Sequence, residues 1–227
     1  VDGVQFVLDH GAEIDPVDFS MLTPLMIACV EGHTRVVDLL VKRGANVNIM
    51  LNHPTDGYLT PLLMVSIKGH IPIAKVLINN GADVNRISKL SNEEEICPLV
   101  AAAAQDEVQM VHFLIDRGAK VDILVEGPQG AGKITPLIRS IGIGKEETTR
   151  ALIERGARLD ATCTGPNEAS GFTPLMMASY LKRADLVSLL LEKGADRNAV
   201  DSKGRTALTI AQEIGNQQII DLFSSPH

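Results

Sequence analysis

The sequence consists of copies of one unit, and this constrains its fold more than any other feature. TPLMIACVEGHTRVVDLLVKRGANVN begins at Thr23, and TPLLMVSIKGHIPIAKVLINNGADVN begins at Thr60. Self-similarity at a fixed period is typical of stacked repeats. Residues 4–15 match the second half of a unit only. The six copies begin at Thr23, Thr60, Cys97, Thr135, Thr173 and Thr206, with spacings of 37, 37, 38, 38 and 33 residues.

Each unit predicts a helix, a turn, a second helix and a loop. Thr followed by Pro places a capping hydroxyl before a helix whose first position tolerates a missing N–H. Glycine ends both helices, as at Gly32 before His33 and at Gly44 before Ala45, because it accepts the left-handed backbone of a helix end. One pair of short helices cannot bury its own apolar side chains, so neighbouring units have to stack.

Together these motifs resemble the ankyrin repeat, and the resemblance covers essentially the whole chain. It implies an all-α fold, an ankyrin-repeat α-solenoid with β-hairpin-like finger loops, and a single domain over residues 1–227. Because the sequence begins in mid-repeat, we expect it to be a segment of a longer protein. The expected parts are a partial repeat at 1–15, full repeats at 16–48, 49–85, 86–122, 123–160 and 161–198, and a C-terminal capping repeat at 199–227.

Four of the five intervals are longer than the usual ankyrin period of about 33 residues. Each carries four or five extra residues, all placed before the next TPL or CPL. By resemblance, this segment is a finger beside a concave groove. We therefore expect elongated fingers, and loops of variable length are where such scaffolds place specificity.

One finger contains the spacing of a phosphate-binding loop. EGPQGAGKITPL has Gly127, four residues, Gly132 and Lys133. A working P-loop also needs a preceding strand, a helix that begins at the lysine, and Ser or Thr directly after it. Here Ile134 follows the lysine, and Thr135 is already the cap of the next helix. We expect a flexible Gly-rich finger tip, with a nucleotide-binding enzyme or ATP-regulated module using Gly127 to Lys133 as the alternative.

Composition excludes several classes of partner. A formal net charge of -7 and a pI near 5.4 argue against a broad nucleic-acid footprint. No apolar run approaches the length of a membrane span, so we expect no membrane insertion.

Three widely spaced cysteines without a CxxC motif argue against a disulfide framework or a zinc site. Free thiols favour a reducing compartment, so we predict a cytoplasmic protein, with the nucleus as the alternative.

No group of residues assembles catalytic chemistry. His33 and His70 occupy the same repeat position, which indicates a structural role. The run Glu93, Glu94, Glu95 is expected at a solvated finger tip. No cysteine has a neighbour in sequence that marks a nucleophile. We predict no enzyme activity, no cofactor, no metal and no small-molecule substrate.

The expected function is protein–protein interaction, as a scaffold that binds another protein or a peptide through the concave groove and the long fingers. By resemblance, groove-facing positions lie just before TPL and at the end of the first helix. Four aromatic residues fall there, where large rigid side chains are frequent hot spots, or else they pack inside their own fingers. The predicted partner-binding residues are Phe19, Leu22, Glu31, Tyr58, Leu59, Lys68, Glu95, Ile96, Gln105, Lys133, Arg139, Phe172, Tyr180, Leu181 and Arg205.

Two features depart from the usual sequence of the family's repeat, which often begins TPLH. Arg139 replaces an apolar first-helix residue, so it should find a carboxylate or open towards the groove, because an unpaired buried charge is costly. At the position of the family's histidine the six units carry apolar or hydroxyl residues, which favours an apolar groove: Met26, Leu63, Val100, Ile138, Met176 and Thr209.

By resemblance to the family, a further alternative is that the segment is chiefly a spacer, or a substrate for asparagine hydroxylation at Asn48 and Asn85.

Overall fold

The structure is a computed structural model that describes residues 1–128, 132–164 and 169–224. No helix in these ranges is long and apolar enough to cross a membrane. The helices described are α1 (Asp2–Asp9), α2 (Pro24–Val30), α3 (Thr34–Lys42), α4 (Pro61–Ile67), α5 (Ile71–Asn79), α6 (Pro98–Gln105), α7 (Val108–Asp116), α8 (Pro136–Gly142), α9 (Glu146–Glu154), α10 (Pro174–Tyr180), α11 (Ala184–Glu192), α12 (Ala207–Glu213) and α13 (Gln217–Ser224). The strands described are β1 (Leu51–His53), β2 (Gly57–Leu59), β3 (Ser88–Lys89), β4 (Glu95–Ile96), β5 (Val125–Glu126) and β6 (Lys133–Ile134).

The chain divides into two compact units, unit 1 (Val1–Ala119) and unit 2 (Lys120–His227). In unit 1 the first helices of successive repeats, α2, α4 and α6, pack in a row, and so do the second helices α3, α5 and α7. In unit 2, α8 packs on α10 and α10 on α12, while α11 packs on α13. Leu63, Leu137 and Leu190 are fully buried. Contacts between successive helix pairs therefore supply the core of each unit.

Threonine hydroxyls cap the N-terminus of the first helix in most repeats. Thr23 Oγ1 accepts a hydrogen bond from the N–H of Met26 at 3.3 Å. Cys97, in contrast, makes no side-chain cap bond to α6. The predicted caps are therefore present except where sulfur replaces the hydroxyl. The other threonines that accept the N–H three residues further on are Thr60, Thr135, Thr173 and Thr206.

Glycine reverses the chain between the two helices of a repeat. Gly32 has a left-handed φ of +75°, and the N–H of His33 then donates to the Ala28 carbonyl at 2.9 Å. The imidazoles of His33 and His70 cap neither of the helices that follow them. The His70 ring instead packs against the preceding repeat, 3.2 Å from the point where a Cβ on Gly32 would lie. This contact links the turns of two successive repeats.

Asparagine and aspartate side chains link successive repeats after the second helix. Asn48 accepts the N–H of Asp83 at 2.9 Å and donates to the Gly81 carbonyl at 2.8 Å. Asn85 donates in the same way to the Gly118 carbonyl at 3.1 Å. In unit 2, Asp122 has the same repeat position and accepts the N–H of Arg158 at 2.9 Å. In these three repeats the polar residue that ends the GADVN-like segment thus holds neighbouring repeats in register.

The elongated loops form fingers that are built mainly from two short strands. In fingers 1, 2 and 3 the strands pair antiparallel, whereas finger 4 has a bridge between Cys163 and Phe172. Fingers 1 and 2 are in contact, since Ser91 Oγ donates to the Thr55 carbonyl at 2.7 Å. The predicted hairpin-like fingers are confirmed. The names refer to finger 1 (49–60), finger 2 (86–97), finger 3 (123–135) and finger 4 (161–173).

The acidic run of finger 2 is not a fully solvated tip. Glu93 is exposed, but Glu94 is only 7% exposed and Glu95 is half-buried. The Leu90 N–H donates to the Glu94 carbonyl at 2.8 Å and closes the tip of the finger. The Asn92 side chain also donates to the Glu94 carboxylate at 3.3 Å. The prediction of a solvated position is therefore wrong for Glu94.

Candidate functional site

The predicted partner-binding residues all lie on, or directly after, two sets of elements, one in each unit. The inner face of unit 1 is formed by α2, α4, α6, loop 16–22 and fingers 1 and 2. The inner face of unit 2 is formed by α8, α10, α12, fingers 3 and 4 and loop 199–205. Each face therefore combines the first helices of the repeats with the loops that precede them.

Three predicted residues of unit 1 meet in one hydrophobic cluster. Leu22, Leu59 and Ile96 pack around Leu63 and Met64 of α4. Leu59 is 8% exposed and belongs to the core, whereas Leu22 and Ile96 are half-buried. Leu59 is therefore a correction to the predicted contact set, because its side chain is used inside the protein. Leu22 and Ile96 keep an apolar edge on the inner face.

Phe19 is fully exposed in loop 16–22 of unit 1. The loop is ordered by Asp18, whose Oδ1 accepts the N–H groups of Leu22 at 2.9 Å and Ser20 at 3.0 Å. Hydrogen bonds from the Leu22 backbone and the Ser20 side chain hold the pKa of Asp18 below its ordinary value. A fixed turn thus presents an aromatic ring that the core does not use.

Tyr58 points outward from β2 and is 41% exposed. It lines a cleft of about 240 Å³ between fingers 1 and 2, together with His53 and Lys89. His53 Nδ1 lies 2.7 Å from Asp56 Oδ2. An ion pair with Glu93 raises the pKa of Lys89. The cleft therefore combines hydrogen-bonding groups with an aromatic ring, which suits contact with a polypeptide.

The other predicted residues of unit 1 are polar. Glu31 follows α2, Lys68 follows α4, and Gln105 is the last residue of α6, and all three are exposed. Glu95 is half-buried in β4. Charges in such rim positions influence association rate and partner choice more than affinity.

On unit 2, one predicted residue is inaccessible. Phe172 is 0% exposed, so it packs inside its finger and is removed from the candidate contact set. Its ring meets Tyr180 edge-to-face, with centroids 6.3 Å apart. Tyr180 is 42% exposed and Leu181 is 36% exposed. Phe172 therefore supports an accessible tyrosine instead of forming a contact of its own.

Arg205 is held within its own loop. Its Nη2 lies 2.8 Å from Asp201 Oδ2, and its Nη1 lies 3.4 Å from Glu213 Oε2. Burial opposes ionisation of Asp201, but hydrogen bonds from the Arg205 backbone and side chain, and from the Lys203 backbone, bring its pKa below the ordinary value. Closing loop 199–205 explains Arg205 independently of any binding partner.

An apolar cavity of about 130 Å³ opens on the inner face of unit 2. Ile134 of finger 3, Ile138 of α8 and Met177 of α10 form part of its wall. Arg139 is half-buried, lines the same cavity and also keeps an interaction within the chain. Lys133 is exposed on the finger. Sequence reasoning missed Met177, because only the stacking of α8 on α10 brings residues almost 40 positions apart into one cavity.

The described part of the Gly127 to Lys133 segment is an antiparallel hairpin. Lys133 pairs with Glu126, and the Gly127 N–H donates to the Gly132 carbonyl at 2.8 Å, so it closes the finger instead of facing a phosphate. The next helix begins at Pro136, not at the lysine. The three residues before Gly132 lie outside the described residues, and so does the expectation of a flexible tip. The described residues give no support to the nucleotide-binding alternative.

Reactive side chains are not grouped in the described ranges. No three His, Cys, Asp or Glu residues there come together as potential metal ligands. Cys29, Cys97 and Cys163 are free and buried. Burial raises the pKa of Cys29 to about 12 and those of Cys97 and Cys163 to about 11. A thiol with such a pKa is protonated at neutral pH and is a weak nucleophile.

Comparisons with known proteins agree with this geometry. The family profile for ankyrin repeats in three copies matches residues 49–125, 99–201 and 159–226, and the ankyrin repeat profile matches residues 21–51. These matches together span most of the chain. A search of curated proteins finds no significant match.

Two solved ankyrin repeat domains have a similar structure. The human ASB11 domain is 26% identical, with a TM-score of 0.66 over 89% of this chain and 82% of that chain. The domain of Bcl-3, a unique member of the IkappaB protein family, is 22% identical, with a TM-score of 0.79 over 99% and 91%. The predicted all-α solenoid with finger loops is confirmed. On the evidence of its repeated sequence, its helix pairs and fingers, and these matches, the chain belongs to the ankyrin repeat family.

Proposed function

We propose that the chain is a non-catalytic scaffold that binds another protein or a peptide through its inner faces and fingers. Ankyrin repeats are generally protein interaction modules. The observation that carries the proposal is a set of large apolar side chains on the inner faces that the core does not use. They are exposed by 36 to 110%, and they are Phe19, Tyr58, Ile143, Tyr180 and Leu181.

These side chains have the properties of interface anchors. Aromatic rings bury a large area with few rotatable bonds and often dominate binding energy. Tyr180 is also held in place by Phe172, which limits the entropy lost when a partner covers it. The proposed contact set further includes Leu22, Glu31, Lys68, Glu95, Ile96, Gln105, Lys133 and Arg139.

The same proposal has consequences for partners and location. We expect binding to need neither a cofactor nor a metal, and we expect no nucleic-acid partner. Three buried free thiols fit a protein that works in a reducing compartment such as the cytoplasm.

The experiment begins with proteins crosslinked to the 227-residue chain and identified by mass spectrometry. Affinity for a retained protein is then measured with Tyr58→Ala and Tyr180→Ala. Removing a hot-spot side chain costs about 2 kcal/mol, so at least one variant should bind about 30-fold more weakly.

Phe6→Ala is the matched control, because Phe6 is 62% exposed on α1 and lies outside the inner faces. Its affinity should equal that of the wild type, and circular dichroism should show all variants folded. Unchanged affinity in both tyrosine variants would exclude the two residues from the binding surface.

A further inference from the structure

The apolar cavity on the inner face of unit 2 has the properties of a side-chain recognition site, and we name it the Gly142 pocket. We infer that it receives one aliphatic side chain of a partner peptide, while Arg139 binds an Asp or Glu adjacent to that side chain. This inference rests on the proposed function and names the chemistry of the peptide. The residues of the pocket used in the argument are Ile134, Ile138, Arg139, Gly142, Ile143 and Met177.

The pocket exists because one repeat lacks a side chain. Gly142 is the last residue of α8 and lines the cavity. Glycine in a helix is less stable than alanine. The equivalent residues of the other repeats all carry side chains, and they are Val30, Ile67, Ala104, Tyr180 and Glu213.

The fold does not require glycine at position 142. Gly142 does not have the positive φ found at the turn glycines such as Gly144, where φ is +75°. A Cβ added to Gly142 would have no atom within 4 Å. Neither backbone conformation nor close packing therefore explains the residue. Its effect is to leave space on the inner face next to the isoleucines of α8 and finger 3.

The size of the pocket fits one side chain. Its volume is about 130 Å³, close to the roughly 150 Å³ of an apolar cavity that takes up benzene. Pockets for drug-sized ligands begin at about 300 Å³, so a fatty acid or a nucleotide would not fit. Ile134 and Ile138 are buried, and Ile143 is 40% exposed at the rim. Met177 adds a flexible wall that adapts to branched or unbranched side chains.

Arg139 gives the pocket its charge preference. The equivalent residue in the other repeats is apolar, whereas the half-buried Arg139 brings a positive charge to the lining of this apolar cavity. A guanidinium binds carboxylates through paired N–H groups and does so most strongly where water is excluded. It has five N–H donors, so it can keep a contact within the chain and bind a peptide carboxylate as well.

The test uses a display library of random twelve-residue peptides selected on the full 227-residue protein. Peptides that bind should share Leu, Ile, Val or Met with Asp or Glu within two positions. Gly142→Val should reduce their affinity at least ten-fold, since the valine side chain would occupy the space that the glycine leaves open. Arg139→Gln should reduce affinity for the acidic peptide several-fold. The variant should bind the acidic peptide and its Asn or Gln version with equal affinity.

Gly3→Val is the matched control, because Gly3 lies in α1 of unit 1 and an added Cβ there also has no atom within 4 Å. It should leave affinity unchanged. Gly142→Ala should be at least as stable as the wild type in urea unfolding and yet bind more weakly, which separates loss of space from loss of fold. The methyl NMR signals of Ile138 and Met177 should shift when peptide is added.

The outcomes distinguish this inference from the proposed function. Peptides that bind Gly142→Val as well as the wild type, or that share no aliphatic and acidic pair, would overturn the inference and leave the proposed function standing. A protein that selects no peptide and retains no protein partner would overturn both.

Discussion

At the scale of single residues, Cys97 is a departure from the repeat with a measurable cost. It occupies the position of the capping threonine, yet its side chain makes no cap hydrogen bond that meets the geometry of the threonine caps. Thr60, one repeat earlier, is equally buried and bonds to the Leu63 N–H at 3.2 Å. Cys97→Thr should therefore raise the free energy of unfolding by about 0.5 to 1 kcal/mol. Urea unfolding followed by circular dichroism measures the change.

Thr60→Cys is the reciprocal control and should lower the free energy of unfolding by a similar amount. If both substitutions were neutral, the cap bonds would contribute nothing to stability, and the pattern of threonines would need another explanation.

Asp201 predicts a dependence of stability on pH. Its folded-state pKa is lowered, so its ionised form stabilises the protein above the unfolded pKa of about 3.9, and this stability is lost as the pH falls through the lower folded pKa. Asp201→Asn loses the ion pair with Arg205 and should reduce stability at pH 7 by about 1 to 3 kcal/mol.

The difference between Asp201→Asn and the wild type should begin to shrink below about pH 4, where the unfolded aspartate takes up a proton, and should be lost once the folded carboxylate is protonated as well. Asp38→Asn is the control, because Asp38 forms an exposed pair with Lys42, and such pairs contribute little. A gap between Asp201→Asn and the wild type that stayed constant down to pH 2 would contradict the assignment.

At the scale of elements, fingers 1 and 2 pack too closely to accept a side chain at Gly57. Its φ is +81°, and an added Cβ would lie 2.6 Å from backbone atoms of Lys89, Leu90 and Ser91. Gly57→Ala should therefore destabilise by more than about 2 kcal/mol, because backbone strain and overlap add. Differential scanning calorimetry measures the loss.

Gly44→Ala separates the two causes. Gly44 has a similar φ of +93°, but an added Cβ there meets no atom within 4 Å. It should cost only the backbone strain of about 1 to 2 kcal/mol. Equal losses in the two variants would mean that the contact between the fingers is not rigid.

Elements were the easiest part of the structure to predict from sequence. The Thr-Pro and Gly-Ala signals of each unit lie within one or two residues of the observed helix ends, as for α2 and α3, because caps act through bonds three or four residues apart. The exposure of finger residues was harder to predict. Glu94 and Phe172 are buried, and neither residue type nor repeat position predicted this.

At the scale of the whole molecule, stability has to come from stacking. The helices α4 and α5 have only 7 and 9 residues, and isolated helices shorter than about 12 residues are marginal in water. A synthetic peptide of residues 60–85, one helix pair, should therefore be largely unfolded by circular dichroism, whereas the full chain under the same conditions should be helical. Equal helicity per residue would show that neighbours are not needed.

Charge is also distributed unevenly along the molecule. Unit 1 has 8 Lys and Arg against 15 Asp and Glu, a net charge of -7, whereas unit 2 has 13 of each and is neutral. The two units therefore offer a partner different electrostatic surroundings. Added salt should reduce the affinity of a basic partner for unit 1 more than the affinity of a partner for unit 2.

Local signals in the chain were enough to establish the helix pairs, the capping residues, the finger positions and the family, because each depends on residues close together in one repeat. Accessibility and cavities could not be read in that way. Leu59 is buried because Met26 and Ala101 of the adjacent repeats pack in the same cluster, and the Gly142 pocket has one wall from Met177 of the following repeat. Burial is a property of what packs on top of a residue, and in a stacked fold that neighbour comes from about one repeat away in the sequence.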